Sequence, residues 1–137
     1  MIIVYTDGAC LGNPGEMGIG IVIYRDEVRI EELSETLGYG TNNIAEYTAV
    51  IRALETAHSL GETEIHIKSD SQLLVRQLNE EYKVRDPVLV DLKQKISKLR
   101  VGLKITFEHI AREHNKEADK LSKEAAELGK RRLKAKN

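Results

Sequence analysis

The sequence predicts an α/β domain on a five-stranded mixed sheet, three antiparallel strands followed by parallel ones, with helices on both faces. Three observations point there. β-Branched runs of strand length come first in the chain, apolar residues recur at helical spacing from about residue 41 onward, and short strand patterns interrupt those helices. The resulting order is three strands, a helix, a strand, two helices, a strand and a helix. It contains two strand-helix-strand crossovers, which favour parallel pairing of the first, fourth and fifth strands.

Met1 to Tyr5 reads as a buried strand ending at Asp7, with Asp7-Gly8 and the turn-forming Gly12-Asn13-Pro14-Gly15 beyond it. Gly18 to Arg25 and Val28 to Leu37 are the next two strands, joined by Asp26-Glu27 as a tight hairpin turn. Thr41-Asn42-Asn43 supplies N-cap residues to a helix whose apolar face is Tyr47, Val50, Ile51, Leu54 and His58 and which ends near Gly61. Glu64 to Lys68 alternates as a strand, and Ser69-Asp70-Ser71 caps a helix that turns Leu74, Val75 and Leu78 inward. Asp86-Pro87 starts the third helix, with Asp as N-cap and proline at the first helical position; Leu89, Leu92, Ile96 and Leu99 form its stripe. Leu103 to Ile110 is the last strand. Ala118, Leu121, Ala125 and Leu128 form the inward stripe of a final helix closed by Gly129, so one domain is expected over 1–129 and a basic tail over 130–137.

A chain of 137 residues with 41% hydrophobic content can bury one real core. Its 21 Lys and Arg against 22 Asp and Glu leave a formal net charge of -1, which excludes bulk attraction to nucleic acid; a polyanion would have to be met locally. Cys10 is the only cysteine, so no intrachain disulfide is possible and a reducing cytoplasm is the expected setting. The apolar run Ile2 to Val4 is too short for a signal segment or a membrane span, and no membrane partner is expected. Lys130, Arg131, Arg132, Lys134 and Lys136 crowd the tail, either to hold backbone phosphates or as a solvated terminus.

Asp7 and Asp70 both fall at carboxyl ends of expected parallel strands, the place where ligands collect in such sheets. Glu46 follows the path Glu46, Val50, Ala53 that faces the sheet from the first helix, and Asp119 flanks the stripe of the last helix. Each acid also has an ordinary role open to it as a turn, a cap or a first-turn residue. Their shared location says more than each alone. Clustered carboxylates repel one another unless a hard, oxygen-seeking cation lies between them. Mg2+ is the expected cofactor, with Mn2+ as a substitute. Two such ions roughly 4 Å apart activate a water and stabilise the departing oxygen of a phosphodiester. On the acids alone, nuclease, phosphatase and metal-binding module all stay open.

The residues around the acids are more specific. Tyr5-Thr6-Asp7-Gly8-Ala9-Cys10-Leu11-Gly12-Asn13-Pro14-Gly15 resembles the opening motif of type 1 ribonuclease H. Thr41-Asn42-Asn43-Ile44-Ala45-Glu46, Ser69-Asp70-Ser71-Gln72 and Arg112-Glu113-His114-Asn115-Lys116-Glu117-Ala118-Asp119 resemble its second, third and fourth, in order. The resemblance implies a ribonuclease H-like fold and endonucleolytic cutting of the RNA strand of RNA-DNA hybrids, leaving 5′-phosphate and 3′-hydroxyl ends. It implies that Asp7 bridges two Mg2+ ions, that Asp70 joins it on the ion activating water, and that Glu46 and Asp119 complete the other shell. It further implies hybrid contacts by Gly8, Cys10, Asn13, Asn42, Asn43 and Gln72, with Thr41 and Asn13 at a phosphate of the DNA strand. Short amides and hydroxyls suit a 2′-hydroxyl, the group that distinguishes RNA from DNA. The same asparagines also cap a helix and build a turn.

Two departures from the better-known bacterial pattern stand out. The stretch between Leu78 and Asp86 lacks the long basic protrusion that grips the hybrid, leaving only Lys83 and Arg85. The loop before Asp119 is short, so the family's catalytic histidine has Arg112 and His114 as its two candidate replacements, Arg112 favoured. The shortened grip keeps double-stranded RNA open as a second substrate, and the altered loop keeps an inert hybrid-binding module open as a third reading. A monomer is expected.

Overall fold

The computed structural model describes residues 1–136. It consists of strands β1 (Ile2–Leu11), β2 (Gly15–Arg25) and β3 (Val28–Gly40), helix α1 (Asn42–Ser59), β4 (Glu64–Ser69), α2 (Gln72–Leu78), α3 (Pro87–Leu99), β5 (Lys104–His109), a 3-10 turn (Arg112–His114) and α4 (Lys116–Ala135). The single sheet has the order β3-β2-β1-β4-β5. β1, β2 and β3 pair antiparallel, while β1 with β4 and β4 with β5 pair parallel, as the crossovers require. Among the described residues, no helix is long and apolar enough to cross a membrane.

Alternation along the strands sends Ile2, Val4, Ile19, Ile21, Ile23, Ile65, Ile67, Ile105 and Phe107 to one face, where they form the core with α1 residues such as Tyr47, Val50 and Leu54. Thr41 caps α1 by accepting from the Ile44 amide at 3.3 Å, and Asp86 caps α3 by accepting from the Val88 amide at 2.9 Å. The β2-β3 hairpin turns on Asp26 (φ 51°) and Glu27 (φ 67°), both left-handed as a two-residue hairpin of that twist demands.

Four expectations change. β1 runs past Asp7 to Leu11, because its ladder with β2 continues to Leu11↔Glu16 and the turn falls only at Gly12 to Pro14. Gly8 serves close packing here: a Cβ on it would lie 2.5 Å from the Ala45 carbonyl carbon and the Glu46 amide nitrogen. His58 is exposed, and Ala45, Ala49, Ala53 and Ala57 join the buried face of α1 instead.

On α4 the buried stripe is Ala118, Ser122, Ala125, Ala126 and Gly129, with Leu128 exposed. The reason is proximity. α4 crosses β2 over Gly18 and Gly20, where a Cβ would meet α4 backbone atoms at 2.3 and 2.1 Å, so only small side chains fit between. Gly129 does not close the helix. A Cβ there would press on Glu16 at 3.1 Å, and the Lys, Arg, Leu and Ala that follow are good helix formers that carry α4 on to Ala135. The expected tail is thus two further helical turns, apart from Asn137, which lies outside the described residues.

Candidate active site

The pairing of β1 with β4 ends at Thr6↔Ser69, so Asp7, within β1, and Asp70, the first residue after β4, are side by side. α1 packs against Gly8 closely enough to bring Glu46 to the same point. One carboxylate oxygen from each of Asp7, Glu46 and Asp70 lies within 4.8 Å of the others. Asp119 stands at the edge of this group, on the first turn of α4, with its Oδ2 2.9 Å from Lys123 Nζ. All four acids line one open cleft, together with Gly8, Cys10, Asn42, Asn43, Arg112 and Lys123.

Burial and repulsion from neighbouring acids govern the protonation of Asp7 and Glu46. Asp7 is pushed up to about 7, first by burial and then by the charges of Asp70 and Asp119, against a hydrogen bond from Ser122 and the attraction of Arg112. Glu46 is raised well above the usual range, again by burial first and then by Asp7 and Asp70, while the Gly8 amide and Arg112 pull the other way. Glu46 Oε2 is buried without a hydrogen-bond partner. An orphaned carboxylate oxygen among other oxygen donors is what a hard divalent cation would satisfy, so the donor set fits a metal.

Two positioning residues escaped the sequence reading. Ser122 Oγ donates to Asp7 Oδ2 at 2.5 Å and so occupies one of its oxygens. Asn115, nearly fully buried, donates from Nδ2 to the Thr6 carbonyl at 2.9 Å and to Asp70 Oδ2 at 3.2 Å, tying the two strand ends together. The fourth motif contained Asn115, which was the available signal. Ser122 gave none, since a serine inside an amphipathic helix has no distinctive spacing.

The other expected residues divide. Cys10 is half-buried, and its thiol, raised by burial, donates to the Gly40 carbonyl at 3.4 Å. Asn13 Oδ1 accepts from the Asn42 amide at 3.2 Å, fastening the β1-β2 turn to the start of α1. Thr41 is the α1 cap, and Gln72 is exposed at the start of α2, outside the residues that line the cleft. Arg112 is on the cleft wall, whereas His114 opens into a separate pocket beside Tyr5, Tyr24 and Glu117.

The fold and the site together define a ribonuclease H-like domain, with acids just past the point where the parallel pairing of β1 and β4 ends. A family model described as RNase H matches residues 1–127. Ribonuclease HI of Halobacterium salinarum is 37% identical over 123 residues, covering 88% of this chain and 62% of that protein. Ribonuclease H of Syntrophus aciditrophicus is 38% identical over 150 aligned positions, covering 98% of this chain and 84% of that protein. The crystal structure of LC11-RNase H1 in complex with RNA/DNA hybrid superposes with a TM-score of 0.89 at 41% identity, covering 93% of this chain and 98% of that one. The chain spans only 35% of the length of the bifunctional protein Rv2228c of Mycobacterium tuberculosis, to which it is 34% identical. The chain belongs to the ribonuclease H family, in its compact type 1 form.

Proposed function

We propose that this chain hydrolyses the RNA strand of RNA-DNA hybrids with two Mg2+ ions, leaving 5′-phosphate and 3′-hydroxyl ends. The observation that carries the reading is the cluster of buried Asp7 with half-buried Glu46 and Asp70, one oxygen of it unpartnered, lining an open cleft. Asp7, Glu46, Asp70 and Asp119 would hold the ions, and Mn2+ has the same ligand preference. When bound, the metal supplies charge for the developing phosphorane-like oxygens and a water of lowered pKa.

The chain's own residues do the rest. Ser122 and Asn115 each engage one oxygen, of Asp7 and of Asp70 respectively, and so fix how the remaining oxygens face the cleft. Asn42, Asn43 and the Gly8 backbone line the rim, where amides and a bare backbone suit a ribose 2′-hydroxyl. Arg112 is the auxiliary cation, placed to offset charge on the scissile phosphate or the leaving oxygen. His114, in its separate pocket, has no part in this scheme.

Labelled RNA-DNA, RNA-RNA and DNA-DNA duplexes, each with Mg2+, Mn2+ or chelator and with Asp70→Asn as control, test the proposal. Cleavage confined to the RNA strand of the hybrid and dependent on metal is expected. Hybrid left intact under both metals would overturn the nuclease reading, and equal cutting of double-stranded RNA would overturn the substrate preference.

A further inference from the structure

The last two turns of α4 overhang the sheet. Leu133 falls on the same side of the helix as the buried residues Ala126 and Gly129, yet it is 53% exposed, because the sheet has ended beneath it. These turns carry Lys130, Arg131, Arg132 and Lys134, with Lys136 as C-cap and no acid among them.

Helical geometry sorts these cations by direction. At about 100° per residue, Lys123 and Glu127 lie about 40° and 80° round from Asp119, and all three line the cleft. Lys130 and Lys134 lie about 20° and 60° round, inside the same sector. The buried residues Ala118, Ser122, Ala126 and Gly129 occupy the adjoining sector on the other side of Asp119; Lys136 lies at its far edge, in line with Ala118, and Arg132 about 40° beyond, both turned away from the cleft. A rise of 1.5 Å per residue sets Lys130 and Lys134 about 16 and 22 Å along the axis from Asp119. The cleft therefore continues as a cationic stripe past the edge of the sheet.

We infer that Lys130 and Lys134 form an outlying phosphate-binding surface that holds the backbone of the same duplex whose scissile bond sits in the cleft. This inference rests on the proposed function only in taking that duplex to be a nucleic acid. The chain has a net charge of -1 and a short connection between α2 and α3, so it needs a local grip on a polyanion. Two lysines on the cleft sector at this distance supply one. Cations at a helix C-terminus also complement the helix dipole, but that effect is indifferent to which way the side chains point.

The test exploits direction. Lys130→Gln/Lys134→Gln is compared with Arg132→Gln/Lys136→Gln, which removes the same charge from the same helix end on the opposite side. Hybrid affinity is measured by fluorescence anisotropy in chelator, where no strand is cut, across a salt series. The first pair is expected to weaken binding roughly tenfold at moderate salt and to lower the slope of log affinity against log salt by about two, while the second leaves both near wild type. Equal effects from the two pairs, no change from the first, or a larger change from the second would each overturn the inference. Cleavage by the wild type is scored separately. An inactive wild type whose first pair still lowers the slope would sink the nuclease reading and spare this one; an active wild type with unchanged slopes would do the reverse.

Discussion

Two clusters of acids in this molecule have opposite solutions to the same electrostatic problem. Glu35 on β3 and Glu55 on α1 converge on the Arg52 guanidinium, which donates to Glu35 at 2.8 and 3.0 Å and to Glu55 at 2.9 Å, and its own pKa is raised by those bonds. Asp7, Glu46 and Asp70 converge with no side-chain cation between them, Arg112 acting only from the wall. The first cluster is half-exposed and carries its own cation; in the second Asp7 is buried, one Glu46 oxygen has no partner, and the donor set fits a cation from solution. Where acids serve the fold, the chain supplies the countercharge. Where they gather in the cleft, it leaves the position open to a cation, at a cost in stability of the cation-free state.

The largest effect should come from breaking the cleft cluster. Asp70→Asn is expected to reduce hybrid cleavage roughly a thousandfold or more, the upper end for losing one preorganised electrostatic group, with no loss of metal-free melting temperature. An activity within tenfold of wild type would refute the assignment.

Titration sharpens the contrast further. Asp7 keeps its proton in the folded chain up to about pH 7, while the unfolded chain releases it near pH 4. Between those values the folded state holds more protons, so stability must fall as pH rises. Relative to Asp7→Asn, chelated wild type is expected to lose on the order of a few kcal/mol across this window in denaturant melts. Mg2+ at a hundredfold excess over its dissociation constant should restore about 2.7 kcal/mol at pH 7. Parallel pH curves for the two proteins would contradict this.

Ser122→Ala removes the hydroxyl that occupies Asp7 Oδ2 and should weaken Mg2+ binding by about 10- to 100-fold, as second-layer changes at metal sites do. Calorimetric titration reads this directly, and Ser122→Thr should recover part of the loss. Arg112→Ala is expected to slow cleavage by about tenfold with His114→Ala near wild type; the reverse order would reassign the auxiliary role. Smallest of all, Arg52→Met should cost under about 1 kcal/mol and leave cleavage unchanged, because its cluster is exposed enough for water to screen it.

Much of this molecule was legible in the amino-acid order. Caps at Thr41, Ser71 and Asp86, the Asp26-Glu27 turn and the strand-helix order are local signals, set by backbone hydrogen bonding within a few residues, and all are present in the structure. The motif residues around Asp7, Glu46, Asp70 and Asp119 marked the cleft too: Glu46, Asp70 and Asp119 sit beside helix starts, while Asp7 lies inside β1 where its pairing with β4 stops. What the order of residues could not disclose depended on distance between elements. Gly8 and Gly129 looked like breaks and are contact points, as are Gly18 and Gly20 inside β2, because their meaning lies in the helix that approaches them. Ser122 is 115 positions from Asp7 and meets it only after α4 has docked on β2, and the outward course of Lys130 and Lys134 emerges only once the sheet ends beneath the helix. Local propensity chose the elements and the acids; docking of α1 and α4 onto the sheet decided which atoms meet, because short-range contacts between distant residues exist only after the chain has packed.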